Sequence, residues 1–244
     1  MSERNLVTAH QANFLPYLGF FEKISVSDAF VLVDDTQFVK RGTFGWIHRN
    51  KILTQNGPIW LTIPIKTHDA YNQLISDTQI VDDQTWKRKH LRSIEFAYKK
   101  AKYFDTFFDD IKDIYLKPHP YLLGLSRAFI EWVLQILKID IPMTLSSELG
   151  IQGKGSDYVL ELASKSKASH YLSGKHGLDY LNPEIFVENN VEVIYQDFNC
   201  MPYEQINSET FHPNMCILDV LFNVGVEGTI ELLKAGSNYN VPVK

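Results

Sequence analysis

With 244 residues, 45% of them hydrophobic and 22% charged, the chain can bury one large core or two small ones and is too apolar to be disordered. A formal net charge of −5 gives no bulk attraction for polyphosphates, which excludes general nucleic-acid binding. No run reaches the roughly 18 apolar residues of a membrane span, and Met1 to Asn5 leads into a strand without the apolar core of a signal peptide. Two cysteines, Cys200 and Cys216, are too few for a disulfide framework or a zinc site, so a reducing, cytoplasmic setting is expected.

In chain order, Leu6 to Ala9 reads as a buried strand ending at His10-Gln11, and Asn13 to Pro16 as a loop. Apolar residues at helical spacing from Tyr17 to Ser25 predict a helix, and Ala29 to Val33 a second strand ending at Asp34-Asp35. Strand, helix and strand within about thirty residues make a βαβ unit, hence a parallel sheet. Trp46 to Leu53 and Ile59 to Ile65 read as a hairpin around Asn56-Gly57. Helices are predicted over about 84–100, 104–116 and 119–137. These are expected to form a helical insertion beside the sheet of a single domain spanning residues 1–244.

The final third returns to alternation. Ser156-Asp157 is expected to cap a helix to about Ser166, followed by a strand at His170 to Leu172. Asn182-Pro183 starts a short helix, Val191 to Tyr195 forms a strand, and helices near 214–223 and 226–235 close the chain, the last stopped at Gly236. The fold class is α/β, a mainly parallel sheet with flanking helices.

Ligands of open parallel sheets bind beyond the carboxyl ends of the strands, which selects His10-Gln11, Asp34-Asp35 and Ser173 to Gly177. His10 offers an imidazole as general base, and Gln11 and Asn13 offer amides that can orient a carbonyl. Either Asp34 or Asp35 can orient an amine; adjacent carboxylates alternate in direction, so only one need face the site. Lys40, Arg41 and Arg49, with Asn50 beside them and the rings of Phe44 and Trp46, suit an anionic ligand that carries a ring. Ser173-Gly174-Lys175 would bring backbone and a cation close to a phosphate, although no P-loop pattern is present. The histidines show no metal-ligand spacing, and nothing around Cys200 lowers a thiol pKa. No motif specifies a cofactor.

The blocks His10 to Ile24, Val33 to Phe38, Trp60 to Pro64, Tyr171 to Gly174 and Leu218 to Gly225, in one order, resemble the WbqC-like protein family of bacterial surface-polysaccharide gene clusters. Two positions depart from the family pattern: Ala12 stands where proline is usual, and Cys200 where histidine is common. The resemblance implies work on O-antigen precursors, with an acyl or aminoacyl group placed on a nucleotide-linked amino sugar. A weaker likeness is to the nucleotidylyltransferase superfamily, whose His-x-Gly-His motif would fall on Tyr17-Leu18-Gly19-Phe20, with only Gly19 kept. The expected partners are therefore a nucleotide-linked amino sugar and an acyl or aminoacyl donor. An ATP-dependent amide ligase and a non-catalytic sugar-binding module remain as alternatives.

Overall fold

A computed structural model describes residues 4–40, 45–66 and 72–239. Its centre is a five-stranded, all-parallel sheet. The strands are β1 (Leu6–Gln11), β2 (Ala29–Val33), β5 (Met143–Leu145), β6 (His170–Ser173) and β7 (Glu192–Tyr195), in the spatial order β5-β2-β1-β6-β7. The hairpin strands β3 (Arg49–Thr54) and β4 (Gly57–Thr62) pair only with each other.

Helices cover both faces of the parallel sheet, which is why its strands read as nearly unbroken apolar runs. On one face Phe30 and Leu32 of β2 join an apolar cluster with α1 (Leu18–Ser25), α2 (Gln84–Tyr98), α3 (Phe104–Leu116), α4 (Leu122–Ile136) and α8 (Ile217–Gly236). The hairpin contributes Ile52 and Leu61 to this cluster, so the three helices expected at 84–137 share their core with the strand–helix frame. On the opposite face Val7, Ala9, Val31, Val33 and Tyr171 meet Val159 and Leu162 of α6 (Ser156–Lys165) and Phe186 of α7 (Pro183–Glu188).

Several local expectations change in detail. Ser156 does not cap α6: Gly155, at φ 57°, takes the cap position, and the Ser156 hydroxyl donates to the Tyr180 carbonyl and accepts from the Asn182 N–H. Asn182 caps α7 as its sequence suggests, its side chain accepting from the Glu184 N–H, with Pro183 in the first turn. The two closing helices are present as expected, following one another within α8 across a break at Gly225 (φ 71°, ψ −171°). The hairpin begins only at Arg49, because residues 45–48 form turns. The sequence did not disclose β5 or the short α5 (Ser146–Leu149) that follows it; a three-residue, half-buried strand carries too little pattern.

Candidate functional site

Strand β1 is the point where the chain changes direction across the sheet, with β2 on one side and β6 on the other. Backbone ends diverge at such a joint and leave a crevice. Here it opens into a cleft of about 1090 Å³. Its floor is His10 and Gln11 from β1, Asp35 after β2, and Ser173, Gly174 and Lys175 at the tip of β6. Its lining also includes Tyr17, Phe20 and Lys23 from the α1 region, Lys154 and Tyr158, and Gln196 to Asn199, beyond β7.

The His10 ring packs edge-on against Phe20, with ring centres 4.8 Å apart. Its Nδ1 lies 3.1 Å from the Gln11 carbonyl, and because a carbonyl only accepts, the proton sits on Nδ1 and Nε2 keeps its lone pair. Burial, then the charge of Lys23, hold the imidazole pKa down to about 3, so His10 is neutral at physiological pH. The Gln11 amide donates to Thr36 Oγ1 at 3.1 Å.

The two aspartates divide as alternation along an extended chain requires. Asp34 is buried and turned from the cleft; its carboxylate accepts from the Ser147 N–H (3.0 Å) and hydroxyl (2.8 Å), holding the first turn of α5. Asp35 lines the cleft and accepts from Ser146 Oγ at 2.6 Å and Tyr158 OH at 2.5 Å. Burial, then that hydrogen bond, push the Tyr158 hydroxyl pKa up, so it remains a donor.

Other expected site residues lie elsewhere. The side-chain oxygen of Asn13 is buried without a hydrogen-bond partner, and Asn13 does not line the cleft. Lys40, Trp46, Arg49 and Asn50 do not line it either, and Arg41 and Phe44 fall outside the described residues. The Arg49 guanidinium donates to the Gly45 carbonyl at 2.9 Å and lies 4.4 Å from the Trp60 ring centre. Lys51 is 5.1 Å from both the Trp46 and Trp60 ring centres. The Asn50 amide donates to the Leu15 carbonyl at 2.6 Å, tying the hairpin to the loop after β1.

Sequence reasoning missed Lys23, Lys154, Tyr158 and Gln196 on the cleft. The available signal for Lys23 was a Glu22-Lys23 charge pair inside a helix that is otherwise apolar up to Ser25 and is buried throughout. Lys23 Nζ donates to the Ala9 carbonyl at 2.8 Å, and burial lowers its pKa to about 7. Glu22 points elsewhere and accepts from Gln196 and Tyr239. The cleft thus combines the imidazoles of His10 and His176, the carboxylates of Asp35 and Asp197, three lysines and the glycine tip at Gly174. Cys200 is half-buried, and burial raises its thiol pKa, which disfavours a thiolate.

Among the described residues no three His, Cys, Asp or Glu side chains cluster so as to hold a metal ion, and no helix is long and apolar enough to cross a membrane. The sequence profile of the WbqC-like protein family matches residues 11–231. An uncharacterized protein of Mycobacterium tuberculosis is 31% identical over 219 residues, covering 89% of this chain and 93% of the relative. No solved structure matches.

Proposed function

The chain belongs to the WbqC-like protein family, and from that membership and its cleft we propose that it transfers an acyl or aminoacyl group to the amine of a nucleotide-linked amino sugar. The setting is cytoplasmic surface-polysaccharide (O-antigen) biosynthesis. The observation that carries this reading is the convergence of His10, Asp35 and the Ser173–Lys175 tip on one crevice at the β1/β6 joint.

The Asp35 carboxylate, held by Ser146 and Tyr158, retains acceptor capacity with which to orient the amine. The amine nitrogen attacks the donor carbonyl, a C–N bond forms, and the bond from that carbonyl to the donor's leaving group breaks. His10 Nε2 takes the proton from nitrogen and returns it to the leaving group. Lys154 and Lys175, rather than the hairpin cations, hold the phosphates, because they line the crevice.

The test is turnover and binding in His10→Ala. It should lose about 100-fold or more in rate, the usual share of a positioned proton acceptor, and still bind the nucleotide sugar. Unchanged turnover removes His10 from the mechanism. A thermal-shift screen with nucleotide-linked amino sugars, acyl-CoA esters and ATP identifies the donor class, since a bound ligand raises apparent stability. Phosphate or pyrophosphate release that requires both acid and amine would convert the reading to an ATP-dependent ligase.

A further inference from the structure

Lys23 is 2% exposed, yet it lines the cleft. An ammonium has three donors, and the hydrogen bond found here, to the Ala9 carbonyl, uses one. Among the described residues Lys23 makes no ion pair. Glu22 precedes it in sequence, but successive helical side chains diverge, and the Glu22 carboxylate is engaged by Gln196 and Tyr239. A buried cation with no direct ion-pair partner is costly: burial is the main cause of its depressed pKa, and the charge of Glu22 opposes that effect without cancelling it.

Gly174 lies directly beside this ammonium. Its φ of −64° and ψ of 161° suit any residue, so the backbone does not require a glycine there. What the missing side chain leaves is room: a Cβ at Gly174 would find one heavy atom within 4 Å, the Lys23 Nζ at 4.0 Å. The glycine therefore leaves an opening from the cleft to a buried cation, with Lys175 next to it in sequence and Lys154 also among the residues that line the cleft.

We propose that this opening is an oxyanion subsite, in which the Lys23 ammonium beside Gly174 receives a phosphoryl oxygen of the ligand. The inference deepens the proposed function and rests on the same cleft being the ligand site. Filling the subsite puts an anion in direct contact with Lys23, and it offsets the Lys23 charge, which after burial is the second cause of the depressed His10 pKa. An imidazole too weakly basic in the empty protein thus becomes a better proton acceptor once the substrate phosphate is in place. The titratable groups acting on Lys23 are Glu22 on its own helix and His10 on β1. Asp35, Asp197, Lys154, Lys175, His176, Tyr17, Tyr158, Tyr171 and Tyr180 also line the cleft.

The experiment is calorimetric binding of inorganic pyrophosphate to the full chain at about pH 8, in buffers of different ionisation enthalpy. Lys23 is then largely unprotonated, so wild type should take up close to one proton per anion beyond the change of the anion itself. Lys23→Met should bind about tenfold or more weakly and lose that uptake, a charge-assisted hydrogen bond being of this size. Gly174→Ala, whose methyl fills the opening without straining the backbone, should also weaken binding while melting like wild type, and it covers the case of a misfolded Lys23→Met. Acetate is the second probe: the same uptake with acetate but not pyrophosphate would assign the subsite to the carboxylate of an acid donor. Neither anion drawing a proton, or wild-type affinity in both variants, overturns the proposal. The readout needs no turnover, so failure of the transfer reaction and failure of the subsite are separate results.

Discussion

At the residue scale, the two aspartates after β2 give adjacent identical side chains different duties. Asp34 holds the start of α5 through both the backbone and the hydroxyl of Ser147, whereas Asp35 faces the cleft between Ser146 and Tyr158. Asp34→Ala should lower unfolding free energy by about 2 kcal/mol, the cost of hydrogen bonds to a charged, buried acceptor. Asp35→Asn should melt near wild type and lose transfer activity or nucleotide-sugar binding. Paired thermal melts and activity assays check the split, and equal loss of stability in both variants would contradict it. The sequence showed that one of the two would face inward, but not which one, because the deciding partner, α5, lies more than a hundred residues away. Lys23 escaped notice for the same reason: its burial depends on the joint between β1 and β6, which one short helix does not reveal.

At the level of elements, α8 shows how a single glycine shapes a helix. Gly225 adopts a left-handed φ of 71°, and a Cβ there would sit 2.8 Å from the Tyr103 ring. Gly225→Ala combines an unfavourable backbone with a collision, so it should destabilise the fold by about 2 kcal/mol or more in denaturant titration. A variant as stable as wild type would mean that the break is not required. This break was legible as two helices in the sequence, as was the Asn182-Pro183 start of α7. The basic hairpin was misleading in its placement. Its cations follow a strand tip in sequence, but β3 and β4 leave the parallel sheet, and Arg49 and Lys51 lie against Trp60 on their own hairpin. Strand-end reasoning applies only to strands that share the sheet, and pairing was not visible in composition or periodicity.

At the scale of the whole molecule, burial lowers the imidazole pKa of His10, His48, His90 and His119 among the described residues. The pKa of His10 is lowered to about 3, and those of His48 and His90 to about 4. His90 is well satisfied: its Nε2–H donates to the Thr62 carbonyl, and its Nδ1 accepts from Tyr115 OH, both at 3.2 Å. In the unfolded chain each titrates near about 6.5, so between there and the folded values the unfolded state holds more protons. Stability should therefore fall as pH drops from about 6.5 toward 4, by up to about 1.4 kcal/mol per pH unit for each imidazole. Denaturant unfolding at steps through that window tests this, and a flat profile would show that these rings charge freely in the folded state. At this scale the sequence was most readable. The βαβ start and the strand-tip rule led to His10, the Asp34-Asp35 pair and the 173–175 tip, and the structure places His10, Asp35 and that tip on one cleft.

The central position of β1 has a consequence for how the protein is born. Its free side is covered by β6, with Leu6 paired to His170, across most of the polypeptide. A growing chain can assemble β1, α1, β2 and β5 first, but it then exposes a bare row of peptide groups along β1 until residue 170 has left the ribosome. Unpaired strand flanks invite association with other chains. The same seam that opens into the cleft is therefore the one most in need of shelter during synthesis.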